Sequence, residues 1–185
     1  MHVIEKLRFC PGCGEGGFSA DSTKSLLCEG CGLRLFVNIA SAAGAFVIGP
    51  DGRLLLVRRS REPSKGKLGL PGGFIDAGET AEAGLAREVR EELNLDVTSC
   101  EYLCSYPNEY HYAGMTYQTL DLFFVCRVDD FAGAMAMDEV EELVFTAPGE
   151  LDVTELAFPS ARVAFDAYMN YAGASGTTSE DFQEE

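Results

Sequence analysis

Residues 80–94 carry Leu85, Val89 and Leu93 at i, i+4 and i+8, the spacing of a helix with one apolar stripe. Thr80 stands where an N-cap belongs, and Glu82 suits the positive end of the helix. A helix of this kind must bury its stripe, so the rest of the chain has to supply an apolar surface for it. Beside the stripe, Glu88, Glu91 and Glu92 stand at i, i+3 and i+4 on a shared face. Two such charges about 4 Å apart repel by about 1 kcal/mol in water and about 4 kcal/mol at the effective dielectric near a protein surface. A bare cluster is therefore disfavoured. Either Arg87 and Arg90 neutralise a solvated acidic face, or the hard oxygens hold Mg²⁺ or Mn²⁺.

The apolar surface is expected to be a sheet. Ala45-Phe46-Val47-Ile48 and Leu54-Leu55-Leu56-Val57 flank a Gly49-Pro50-Asp51-Gly52 turn and read as a hairpin. Residues 97–106 and 117–128 read as further strands, the second apolar enough to be central. A last helix is expected over about residues 160–171, with Val163, Ala164, Ala167, Tyr168 and Tyr171 on one side. Strands mixed with helices predict an α/β fold. Residues 37–171 then form the main domain, residues 1–36 a small appendage, and residues 172–185 a disordered acidic tail.

The 185 residues are 46% hydrophobic and 24% charged, which is globular composition. Fourteen Lys and Arg against thirty Asp and Glu leave a net charge of −16, which argues against general binding to nucleic acid or anionic lipid. The exception is residues 53–67, which hold six of the fourteen cations. Within that run, Arg58 and Arg59 are candidates to neutralise a phosphorylated substrate, whereas Arg61 and Lys65 read as solvated. No run approaches the roughly 20 apolar residues of a membrane helix, and residues 1–8 lack a signal-peptide core, so a cytoplasmic protein with no membrane partner is expected.

Four of the seven cysteines form two C-x-x-C units, Cys10-Pro11-Gly12-Cys13 and Cys28-Glu29-Gly30-Cys31. Each unit turns tightly enough to aim two thiolates at one ion, and two units complete a tetrahedral Zn²⁺ site with no open position. A structural Zn²⁺ in a zinc ribbon is the expectation, with a redox dithiol or disulfides as the alternatives. Cys100, Cys104 and Cys126 lie in apolar strand contexts and read as inert thiols.

Upstream of the glutamates stand Gly73 and, after five residues, Glu79; seven residues further come Arg87-Glu88-Val89-Arg90-Glu91-Glu92-Leu93-Asn94-Leu95. This resembles the Nudix box, G-x5-E-x7-R-E-U-x-E-E-x-G-U with U aliphatic, and departs from it only in Asn94 for Gly. Asn is the best non-Gly occupant of a helix end at positive φ. The resemblance extends over roughly residues 40–170. It implies an α/β/α sandwich around a mixed sheet and hydrolysis of a nucleoside diphosphate linked to another group. It also implies that Glu88, Glu91 and Glu92 hold the catalytic Mg²⁺ or Mn²⁺ with help from the Gly73 carbonyl, and that Arg87 pairs with Glu79. Family members take the proton on a box glutamate or on a later loop glutamate; here Glu139 is the later candidate, and an exposed loop acid is its alternative reading.

The ribbon ahead of the box resembles the NADH pyrophosphatase branch of the family, in which dimers are common. The downstream motif of that branch is absent, because Ser105-Tyr106-Pro107-Asn108-Glu109-Tyr110 stands in its place and the chain has no Trp. Tyr110 and Tyr112, with Tyr106, Tyr117 and His111 in the same stretch, read as a loop that stacks on a nucleobase or else as strand or dimer tyrosines. Leu68 stands where many relatives have Trp. ADP-ribose, NAD(H) or a related dinucleotide is the expected small-molecule substrate. A non-catalytic nucleotide sensor and a hydrolase of nucleotide caps on RNA are the rival readings.

Overall fold

The computed structural model describes residues 3–176. The chain divides into two compact units, one made of residues 1–40 with 109–119, the other of residues 41–108 with 120–185.

The larger unit is built on a mixed sheet. Its strands are β4 (Ala40–Ile48), β5 (Leu54–Arg59), the short β6 (Leu68–Gly69) and β7 (Gly72–Phe74), the long hairpin β8 (Ser99–Tyr112) and β9 (Met115–Arg127), and β10 (Val140–Thr146). The order is β10-β5-β4-β9-β8, with β6 on β5 and β7 on β4. Alternation along the central strands sorts the core into two layers. Ala43, Ala45, Val47, Leu55, Val57, Phe124 and Cys126 meet Leu85, Val89 and Leu93 of helix α2 (Ala81–Leu93) on one face. Phe46, Ile48, Leu54, Leu56, Phe123 and Val125 meet Ala161, Ala164, Phe165 and Tyr168 of helix α3 (Pro159–Gly176) on the other. The result is the expected α/β/α sandwich.

Two expectations for α3 are corrected. The buried stripe is Ala161, Ala164, Phe165 and Tyr168, while Val163 is 45% exposed. The helix also runs to Gly176, so residues 172–176 are helical rather than part of a disordered tail; residues 177–185 lie outside the described residues. The tyrosine stretch is likewise not a loop. Tyr106, Tyr110, His111 and Tyr112 lie on β8 and Tyr117 on β9, turning through Ala113 and Gly114 at positive φ.

The smaller unit holds a helical turn α1 (Val3–Lys6) and the antiparallel sheet of β1 (Phe18–Ala20), β2 (Ser25–Cys28) and β3 (Arg34–Phe36). Its core consists of Cys10, Phe18, Leu26 and Cys28, packed by Ile4, Leu7, Leu33, Leu35 and Val37. That is little apolar burial for so many residues, and units this small usually need a further staple. Residues 109–119 at the tip of the β8–β9 hairpin group with this unit.

Candidate active site and four-cysteine cluster

The acidic face of α2 is organised around Arg87. Its guanidinium donates to both oxygens of Glu79 (2.8 and 3.1 Å), to Glu88 (2.9 Å), to Glu91 (3.0 Å) and to the Phe74 carbonyl (3.2 Å). Loop 72–79 is thereby tied to the helix. The Arg87 bond, helped by the Asp76 N–H, holds the Glu79 carboxyl below its ordinary range. Thr80 caps α2 by accepting from the Ala83 N–H, and Asn94 closes it at φ 55, ψ 35, in the left-handed region expected of it. The Asn94 amide also donates to the Gly133 carbonyl at 3.0 Å.

Close approach requires glycine at position 72, where the backbone is in the way, and favours it at position 73, where only the end of a side chain is. A Cβ on Gly73 would stand 2.7 Å from Glu88 Oε1, and one on Gly72, at φ 136, would strike the Ala43 carbonyl. With no side chains in the way, β7 pairs along β4 while the Gly72 N–H donates to Glu92 at 3.0 Å. Burial pushes the Glu92 carboxyl up to about 7 and raises Glu88 as well. Two desolvated carboxyls beside a backbone loop are a donor set that suits a hard dication. The three acids do not converge as they stand, however: Glu88 and Glu91 turn to Arg87 and Glu92 to Gly72. Among the described residues the four cysteines are the group of metal-ligating side chains within mutual reach.

Glu139 is placed by a set of main-chain constraints. The Met137 N–H donates to the Glu92 carbonyl at 2.9 Å, which anchors the loop to the end of α2. Asp138 sits at φ 40, and the β5–β10 register shifts between Val140 and Glu142. Bulges of this kind re-aim side chains near active sites. The Glu139 carbonyl accepts from the Ser60 N–H and hydroxyl (2.9 and 2.7 Å), and its carboxylate pairs with Arg61 at 2.8 Å. Glu139 and Arg59 are both close enough to act electrostatically on Glu92, in opposite senses.

Sequence reasoning missed Gly72, Ser60 and the pairing of Arg61, which is exposed as expected. The Gly-Gly lead-in hinted at the first; the other two meet Glu139 from about 80 residues away, with no local signal. Arg58, expected to face substrate, donates to Glu142 (2.8 Å) and to the Gly66 carbonyl (3.0 Å). Tyr110 and Tyr112 lie in the smaller unit, their ring centroids 6.4 Å apart.

Cys10, Cys13, Cys28 and Cys31 bring their sulfurs within 4.8 Å of one another. The Cys10–Cys31 and Cys13–Cys28 separations are both 3.7 Å, far beyond the roughly 2 Å of a disulfide. Tetrahedral thiolates around zinc at about 2.3 Å stand about 3.8 Å apart, so the cluster has the right size. The two knuckles repeat each other: Gly14 and Gly32, at φ 76 and 75, donate to the carbonyls of Cys10 and Cys28. Cys126 is buried beside Cys100, 3.5 Å between sulfurs, while Cys104 packs in the other layer, and desolvation raises all three away from reactivity.

A sandwich with the box loop clamped to the acidic helix is the Nudix arrangement, and the NUDIX domain model matches residues 39–167. The chain belongs to the Nudix family. It is 42% identical over 62 residues to an ADP-ribose pyrophosphatase of Methanocaldococcus jannaschii, covering 34% of this chain and 36% of that protein. It is 32% identical over 110 residues to the NAD-capped RNA hydrolase NudC of Vibrio atlanticus, covering 57% and 39%. The matched segments thus span well under half of these relatives. A NUDIX hydrolase from Nitrosomonas europaea superposes with TM-score 0.74 at 23% identity, over 96% of this chain and 97% of that one. The NUDIX domain of Shewanella oneidensis NrtR, solved with ADP ribose, superposes with TM-score 0.60 at 22% identity, over 74% and 90%. Among the described residues no helix is long and apolar enough to cross a membrane.

Proposed function

We propose that the protein is a Mg²⁺- or Mn²⁺-dependent hydrolase of the pyrophosphate bond in a nucleoside diphosphate linked to a second group, acting in the cytoplasm on ADP-ribose, NAD(H) or a related dinucleotide. The observation that carries this reading is the set of charged box residues held around the loop: Glu79 and Arg87 brace it, and Glu88, Glu91 and Glu92 flank it with two carboxyls already desolvated. The names of the Methanocaldococcus and Vibrio relatives support the substrate class.

Glu88, Glu91 and Glu92, with the Gly73 carbonyl, would hold the cation, which neutralises diphosphate oxygens and lowers the pKa of a water. To act as ligands Glu88 and Glu91 would have to leave Arg87, whose bonds to Glu79 and to the Phe74 carbonyl would still brace the loop. The Gly72 N–H fixes Glu92. Water adds across the bridge: its oxygen bonds to one phosphorus, the bridging oxygen leaves with the other phosphate, and Glu139 takes the proton. Cys10, Cys13, Cys28 and Cys31 would hold a structural Zn²⁺ that completes the smaller unit.

Product analysis of the full chain with Mg²⁺ tests the reading against ADP-ribose, NADH, NAD⁺, a diadenosine polyphosphate, a nucleoside triphosphate and an NAD-capped RNA. Release of AMP from ADP-ribose or a dinucleotide is expected. Preference for the capped RNA over free NAD⁺, falling steeply with salt, would favour the cap-hydrolase reading. Binding without turnover of any compound would make the chain a sensor.

A further inference from the structure

Resting on that reading, in which Glu139 takes the proton, we propose that Ser60 is a positioning residue for hydrolysis: it pins the main chain of Glu139 and leaves the carboxylate free to turn from Arg61 to the box. Strand β5 ends at Arg59 and β10 begins at Val140, and these two residues are paired. Ser60 and Glu139 therefore face each other one step past the end of the ladder, where the strands would otherwise splay. The Ser60 N–H donates to the Glu139 carbonyl at 2.9 Å, and the hydroxyl donates to the same oxygen at 2.7 Å. One half-buried residue thus occupies both lone pairs of that carbonyl. The N–H alone would extend the ladder; the hydroxyl doubles the hold at the residue that carries the carboxylate.

The same point is held from the helix side. The Met135 and Met137 N–H groups donate to the carbonyls of Leu93 and Glu92 at 3.0 and 2.9 Å, which ties the loop to the last turn of α2. The Val140 N–H turns back to the Met137 carbonyl at 2.9 Å. Between these anchors Asp138 sits at φ 40, a conformation that costs about 1–3 kcal/mol and persists only where its surroundings over-determine it. A solvated loop acid needs no such restraint. Beyond the carbonyl the hold is light: the carboxylate pairs with Arg61 at 2.8 Å, and both side chains are more than half exposed (65% and 52%). A surface pair of this kind is worth about 0–1 kcal/mol, so the carboxylate leaves it readily. A fixed main chain with a lightly held side chain is what a proton acceptor needs to reach the reacting water. Glu139 is already close enough to Glu92 to act on it electrostatically, whereas Glu142 is committed to Arg58 at 2.8 Å.

The test is a double-mutant cycle on the full chain, with kcat and KM measured for the compound of the substrate panel that the parent hydrolyses best. Glu139→Gln should lower kcat roughly a hundredfold or more, the loss of a positioned proton acceptor. Ser60→Ala should lower kcat roughly three- to tenfold with KM changed less than about twofold, since one hydrogen bond to Glu139 is lost and no substrate contact is. Ser60→Thr, which keeps the hydroxyl, should recover most of that loss. In the Glu139→Gln background Ser60→Ala should cost nothing more, because Ser60 acts only through Glu139. Parent-like kcat in folded Ser60→Ala, or an equal loss from Ser60→Ala in both backgrounds, would overturn the positioning role and leave the proton-acceptor reading standing. Parent-like turnover in Glu139→Gln would overturn both, and a parent that hydrolyses none of the compounds would take the proposed function with them.

Discussion

At the scale of single residues, charges and caps decide how the box is held. Glu79 lies below its ordinary carboxyl range because Arg87 and the Asp76 N–H bond to its ionised form. A depressed folded pKa stabilises the fold above the unfolded value of about 4.5, and that stabilisation is lost as pH falls through the folded pKa. Glu79→Gln should therefore weaken the fold at neutral pH and flatten its stability profile in the acid range, measured by urea unfolding from pH 3 to 7; an unchanged acid slope would contradict the brace. Asn94 makes a second case. Asn94→Ala should cost about 1–2 kcal/mol, because Ala dislikes positive φ and the bond to Gly133 is lost, while Asn94→Gly should cost less by relieving the φ penalty. The Asn-for-Gly departure in the box was legible in the sequence for this reason: a helix end makes a local demand that one residue answers. The partners of Glu139 were not, since Ser60 and Arg61 reach it only after β5 and β10 have paired.

At the scale of elements, periodicity gave α2 to within a residue because its stripe and caps agree. The stripe of α3 was misassigned. Arg162, Asp166 and Asn170 at i, i+4 and i+8 mark the exposed face with Val163 beside them, and Phe165 packs against Phe46 and Tyr168 on the buried side. The tyrosine stretch was misread for a related reason: Pro107, Asn108 and Gly114 are loop-forming residues, yet all but Gly114 lie within the strands of the hairpin. Leu85→Ala should cost about 2–5 kcal/mol by opening a cavity under α2. Val163→Ala, on the exposed side of α3, should stay within about 0.5 kcal/mol. Thermal denaturation of the pair checks the assignment of faces, and equal losses would contradict it.

At the scale of the whole molecule, two units divide the labour. The larger unit carries two apolar layers and the box; the smaller has a core of a few residues closed around four cysteines. The knuckle spacing made the cluster readable from the sequence, whereas the grouping of residues 109–119 with it was not, because that depends on how far the hairpin extends. With zinc as the proposed occupant, the protein should carry one equivalent, and Cys13→Ser should lower zinc content and the melting temperature of this unit while kcat changes less than threefold, or roughly 0.7 kcal/mol. Full zinc retention with an unchanged melting temperature would refute a structural metal.

The central claim is that the glutamate face of α2 drives metal-dependent hydrolysis, and Glu91→Gln tests it most directly because the change removes a charge and little volume. Turnover of the preferred substrate with Mg²⁺ should fall at least roughly a hundredfold while the circular dichroism and melting temperature stay those of the parent. Near-normal turnover in that variant would show that the box does not carry the chemistry.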